Sequence, residues 1–169
     1  VTRRTLTVLT FSLAAFWIAL DQLTKLWAET ALVGQPRTPI LGGWFGLVLV
    51  YNPGAAFGLG SGFVWVLTVI AGIAVAVLIV AALRTDTLLW SLAIGSMLGG
   101  AVSHFFDRLL RGDTIGSGKI VDFIDYGGFF VGNIADIALV GAAIGSVLLS
   151  FFGVPFSSRE RPKPAPTQK

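Results

Sequence analysis

The chain has 169 residues, of which 54% are hydrophobic and 12% charged, with mean hydropathy +0.82 and a formal net charge of +3. That is about half the charged fraction of an ordinary soluble domain, so the class is integral membrane protein. The absence of cysteine excludes disulfides, thiolate nucleophiles and thiolate metal sites, and a lone histidine, His104, excludes a His-rich zinc centre.

Basic residues gather at the two ends: Arg3 and Arg4 at one, Arg159, Arg161 and Lys163 at the other. That pattern is one of membrane orientation and not of a phosphate-binding face, so no nucleic-acid partner is expected. Four apolar stretches reach the roughly 20 residues that a helix needs to cross a bilayer. They run from about Leu6 to Trp27, Phe63 to Leu83, Leu88 to Phe106 and Gly132 to Phe152. The first has the basic start of a signal peptide, but it continues into Asp21-Gln22-Leu23-Thr24-Lys25 on the same helix and is expected to be retained. Both termini and the short turn Arg84-Thr85-Asp86 are expected in the cytoplasm, and the connections at about 28–62 and 107–131 outside.

The first of these connections carries Trp44-Phe45-Gly46-Leu47-Val48-Leu49-Val50-Tyr51, aromatic and β-branched between glycine-rich turns, which predicts a strand. On the outer membrane face such a strand can hold an extended peptide by edge pairing. The fold expected is all-α, with four transmembrane helices and a small extracytoplasmic β element. A single domain over 1–158 is followed by a basic, Pro-rich cytoplasmic tail at 159–169.

Asp122, in Lys119-Ile120-Val121-Asp122-Phe123-Ile124, and Asp136, in Asn133-Ile134-Ala135-Asp136-Ile137, are the carboxylates to explain. An ionised carboxylate beside lipid is costly and is kept for a use. Either each pairs with a nearby base such as Arg108 or Lys119, or the two share a proton, so that one is a base while the other is an acid. Four segments bring further polar groups to the same outer level: Asp21 and Lys25 at i,i+4, Asn52 and Gly54 in a turn, His104, Asp107 and Arg108 at the end of the third span, and Asn133. The pair Asp21–Lys25 reads as a structural tether near the site or as a helix-end pair with Lys25 snorkelling to the interface, and Asp107 as a hydrogen-bond partner of His104 at i,i+3 or an interfacial ion pair with its neighbour Arg108. A Ser61–His104 dyad is disfavoured because Ser61 lies in a plain glycine turn. A carrier is the other class to weigh, although the four spans lack the internal repeats of secondary transporters.

In order along the chain, Asp21-Gln22-Leu23-Thr24-Lys25, Asn52-Pro53-Gly54-Ala55-Ala56-Phe57-Gly58, Gly99-Gly100-Ala101 through Asp107-Arg108, Val121-Asp122-Phe123 and Asn133-Ile134-Ala135-Asp136 resemble signal peptidase II, the lipoprotein signal peptidases of bacterial inner membranes. The resemblance implies an aspartyl endopeptidase that cleaves diacylglyceryl-modified prolipoproteins just before the lipidated cysteine. It puts the catalytic pair on Asp122 and Asp136, and substrate-contacting or supporting residues on Asn52, Asp107, Arg108 and Asn133. It implies no metal or organic cofactor, membrane lipid and prolipoproteins as partners, inhibition by globomycin-type cyclic peptides, and a multi-pass monomer in the cytoplasmic membrane with its active site facing outward. The chain departs from the family at Ser103-His104, where Gly-Asn is usual, and in its short connection from Asp122 to Asp136. The alternative is a non-catalytic membrane binding protein or small carrier built on the same polar cluster.

Overall fold

The computed structural model describes residues 2–55 and 58–157. Ala56, Phe57 and the tail at 159–169 lie outside the described residues. Four long helices form the bundle: α1 (Arg3–Ala31), α2 (Val64–Arg84), α3 (Leu88–Leu110) and α4 (Ile134–Phe151). Each is long and apolar enough to cross a membrane, α2 with a short helical turn before it. Their outer faces carry exposed residues such as Trp65, Ile73, Val140 and Val147, which are sheltered only if lipid is the solvent.

Small residues set the packing around α3. A Cβ on Gly95 would lie 2.7 Å from Thr10 O, and one on Gly99 2.8 Å from Ala14 O, so α1 presses directly against this face. On the neighbouring face a Cβ on Gly100 would lie 2.7 Å from Ala135 O, which is where α4 crosses. Glycine at such contacts lets backbones approach where no hydrophobic effect drives helices together. On a third side α2 rests on α3, with Phe105 over Gly72. At the end of the bundle opposite the sheet, Trp90 Nε1 donates to Val154 O at 3.0 Å and Thr85 Oγ1 to Phe156 O at 3.0 Å, which ties the α2–α3 turn to the chain after α4.

The β element is larger than the one strand expected. β1 (Thr38–Ile40), β2 (Phe45–Asn52), β3 (Ile120–Asp125) and β4 (Val131–Gly132) form one antiparallel sheet in that order. The predicted strand is β2. Asp122 proves to lie on β3, whose segment 120–123 is buried throughout. The alternation of a strand explains how an acid fits there. Phe123 packs on Ala28, Leu32 and Ile134 on the bundle side, while Asp122 and Ile120 point the other way, into a cleft.

Candidate active site

The cleft has a volume of about 840 Å³ and lies between the sheet, the ends of α2 and α3 and the start of α4. Apolar residues line its depth, Leu67, Ile70 and Ala71 from α2 with Leu139 and Val140 from α4. Polar groups line its mouth: Asn52, His104, Arg108, Asp122 and Asp136.

Asp136 is positioned by helix capping. Asn133 is the N-cap of α4, and a reciprocal box forms in which Asp136 N donates to Asn133 Oδ1 at 3.0 Å and Asn133 N to Asp136 Oδ2 at 2.9 Å. The box fixes the side chain and leaves Asp136 Oδ1 turned elsewhere, with the side chain 35% exposed. Asp122 is held by strand pairing. Opposite Val50 on β2, it accepts from Asn52 Nδ2 at 3.1 Å, a diagonal cross-strand contact, and from Asn133 Nδ2 at 2.6 Å.

Burial pushes the Asp122 carboxyl up to about 7, and the charge of Asp136 adds to this. The amides of Asn52 and Asn133, with the charge of Lys25, pull the other way and are outweighed. The result is a buried acid poised near neutrality beside a second, more open carboxylate. Such a pair can hold one proton between two sites and take another from water.

Behind the wall sits a second polar cluster. Asp21 and Lys25 pair at 2.5 Å, and Lys25 Nζ also reaches Asp107 Oδ2 at 2.6 Å, with all three side chains fully buried. Asp21 Oδ1 accepts from Ala135 N at 2.8 Å and Oδ2 from Ser103 Oγ at 2.7 Å. This cluster therefore ties α1 and α3 to the first turn of α4, the turn that carries Asp136. Lys25 does not snorkel to an interface. It is enclosed between two carboxylates.

Several expected pairings are replaced. Neither Asp122 nor Asp136 pairs with Arg108. That guanidinium instead donates to Pro53 O at 3.1 Å and Gly54 O at 2.5 Å, clamping the turn after Asn52. The turn needs glycine at 54, because a Cβ there would lie 2.3 Å from the Gly58 carbonyl carbon. Asp107 does not meet its neighbour Arg108, since adjacent helical residues diverge. It meets Arg111, at i,i+4, with 2.9 Å to Nε. His104 does not bond Asp107 or turn to Ser61; its Nε2 lies 3.2 Å from Asn133 Oδ1 and 3.6 Å from Asp136 Oδ1. Asp107 and Asn133 are buried behind the lining, in supporting positions.

Gln22, Ser103, Glu29 and Arg111 extend the polar cluster beyond the residues that the sequence marks as a site. Gln22 Nε2 donates to Ser103 Oγ at 2.8 Å and to Asp107 Oδ1 at 2.9 Å, while Arg111 joins Glu29 to Asp107. The i,i+4 spacing of Asp107 and Arg111 is the one local sign of this in the sequence. Nothing local could mark Ser103, whose partners come from another helix.

The family described as signal peptidase (SPase) II matches residues 13–152. The lipoprotein signal peptidase of Bifidobacterium adolescentis is 41% identical over 143 residues, covering 85% of this chain and 76% of that one. That of Mycobacterium avium is 40% identical over 158 residues, covering 93% and 86%. A bacterial membrane enzyme solved by the in meso method at 2.3 Å resolution superposes with a TM-score of 0.74 at 26% identity, over 92% of this chain and 93% of the other. With a family match across most of its length and relatives this similar, the chain belongs to the signal peptidase II family.

Proposed function

We infer that this chain is an aspartic endopeptidase of the signal peptidase II type, which removes signal peptides from prolipoproteins in a bacterial membrane, with Asp122 and Asp136 as its reacting pair. Family membership and the relatives' shared name support the activity. The residue assignment rests on one observation: a buried carboxyl raised to about 7 faces the same cleft as a partly exposed one, and a single amide, Asn133, contacts both residues.

In this reading Asp122 carries the shared proton and Asp136 is the base. Asp136 takes a proton from water as its oxygen attacks the scissile carbonyl carbon. The Asp122 acid hydrogen-bonds the carbonyl oxygen as charge develops there. Collapse of the tetrahedral adduct breaks the C–N bond, and the proton on Asp136 passes to the leaving amine. β1 covers β2 only as far as Leu47, so the stretch from Val48 to Asn52 is available to pair with an extended peptide backbone. The apolar depth of the cleft suits the hydrophobic neighbourhood of a lipid-bearing cleavage site.

The charge pattern supports the orientation, and the resemblance to signal peptidase II supports the substrate, the inhibitor and the monomer. The sheet lies on the outer membrane face, both termini are cytoplasmic, and the substrate is diacylglyceryl-modified and cut just before the lipidated cysteine. The chain works as a monomer among membrane lipids, one domain over 1–158 with a basic tail, and a globomycin-type cyclic peptide occupies the same cleft. Purified protein in detergent, given a lipidated prolipoprotein, is expected to release the signal peptide, and Asp122→Asn or Asp136→Asn to stop the release. Unchanged cleavage by either variant overturns the assignment.

A further inference from the structure

The orientation of one amide fixes where the chain's only histidine holds its proton. Val121 O can only accept, and Asp136 N can only donate. Asn133 meets the first through Nδ2 at 3.3 Å and the second through Oδ1 at 3.0 Å, so its amide has one possible orientation. His104 Nε2 lies 3.2 Å from that same Oδ1. Two lone pairs facing each other repel, so Nε2 carries hydrogen, in the neutral and in the charged imidazole alike.

The same nitrogen is 3.6 Å from Asp136 Oδ1, the carboxylate oxygen that the capping box leaves over. That distance is too long for a hydrogen bond. It is short enough for a small ring rotation to close when a substrate displaces water, as active-site contacts often tighten on binding. The other charged groups of the wall are Asp122 from β3 and Arg108 from α3 itself, while Lys25 of α1 is committed to Asp21 and Asp107.

We propose that His104 is a positioning residue for the reacting pair, whose Nε2–H holds Asn133 Oδ1 and orients the free oxygen of Asp136 toward the cleft. The proposal rests on the reading of Asp122 and Asp136 as that pair. It assigns no proton transfer to the nitrogen facing them, because Nε2 has no lone pair to accept with.

Because the chain has a single histidine, selective isotopic labelling of histidine gives one pair of ring-nitrogen signals in detergent-solubilised protein. The expected spectrum has a protonated Nε2 and an unprotonated Nδ1 in the neutral form. A neutral form protonated at Nδ1 overturns the proposal. The kinetic arm uses a lipidated prolipoprotein. His104→Asn and His104→Gln, which supply an N–H donor, are expected to stay within about tenfold of the parent kcat. His104→Ala and His104→Leu are expected to lose ~10- to 100-fold in kcat with KM nearly unchanged, the size of effect that mispositioning produces. Equal losses in all four variants, or a loss confined to KM, overturn it. A nearly unaffected His104→Ala beside an inactive Asp136→Asn removes the positioning role and leaves the pair standing, whereas an active Asp136→Asn removes the pair itself.

Discussion

Asn133 donates its side-chain amide to Asp122 Oδ1 at 2.6 Å while the oxygen of the same amide caps α4 through Asp136 N. A strand residue and a helix residue are thereby fixed relative to each other by one fully buried side chain. The bridge adds to the β3–β4 pairing, which sets Gly132, the residue before Asn133, opposite Ile124. It also biases charge, because a donated amide hydrogen favours ionised Asp122 and so opposes its burial.

Replacing either acid removes proton transfer while sparing the geometry. At position 136 an Asn still accepts from Asn133 N, so the capping box survives. Each of Asp122→Asn and Asp136→Asn is expected to lose at least ~100-fold in kcat, the low end of a general acid–base contribution. Cleavage rates on a lipidated prolipoprotein, with membrane insertion checked in parallel, measure this.

The raised carboxyl makes both activity and stability depend on pH. Asp122 moves from 3.8 to about 7, so between those values the folded state binds a proton that the unfolded chain has lost. Stability contributed by this group is therefore full below about pH 4 and declines as pH rises through 7. At pH 8 the buried charge costs the folded state ~4 kcal/mol, and Asn forgoes ~1–2 kcal/mol of that gain because it cannot return a hydrogen bond to both amides. Asp122→Asn is thus expected to raise the unfolding temperature at pH 8 while giving no gain at pH 4. The parent enzyme's kcat/KM is expected to fall above pH 7, as the pair loses its shared proton. Thermal unfolding in detergent and a pH–rate profile test the two halves separately.

The spans and β2 were legible because hydropathy and aromatic, β-branched patterning act locally, and the level at which the polar residues meet followed from alternating helix direction. Which acid faces which partner was not. Asp107 reads as a partner for its neighbour Arg108, but helical geometry sends the two side chains apart, one to Lys25 and Arg111, the other to the Asn52 turn. The β3 strand was hidden because Val121-Asp122-Phe123 is buried on both faces and so lacks a plain alternation of polar and apolar residues. Asn133 looked like a substrate contact; its capping role required the start of α4 to be known to the residue.

The buried cluster around Lys25 makes a sharper stability test than any surface pair. Removing the ammonium leaves Asp21 and Asp107 facing each other without a cation between them. Lys25→Met preserves bulk and is still expected to destabilise by ~3–5 kcal/mol, because breaking one partner from a buried charge cluster leaves uncompensated charge. The double change Lys25→Met with Asp107→Asn is expected to recover part of that loss. Unfolding temperatures of the single and double variants give the coupling.

Orientation has a direct readout. Reporter fusions after Thr85 are expected to read cytoplasmic, and an insertion near Gly116, on the connection that carries β3, to read external. The opposite result would put the cleft on the wrong side for a substrate anchored in the outer leaflet.

Asp125 separates a structural acid from a reacting one within a single strand. It lies three residues from Asp122 and so on the opposite face of β3. Its carboxylate pairs with Arg37 Nε at 2.5 Å and accepts from Gly128 N at 2.9 Å, closing the turn between β3 and β4. Arg37 in turn donates to Gly43 O at 3.0 Å, so the pair ties that turn to the loop before β2. Asp125→Asn keeps an acceptor for Gly128 N and loses the ion pair. It is expected to lower stability by ~1–2 kcal/mol, the scale of a charge-assisted hydrogen bond, and to change kcat less than tenfold. Asp122→Asn has the reverse signature at pH 8: a more stable protein that does not cleave. Parallel unfolding and cleavage measurements on the two variants test the assignment in one experiment, and an inactive Asp125→Asn beside an active Asp122→Asn would move the reacting acid to the other face of the strand.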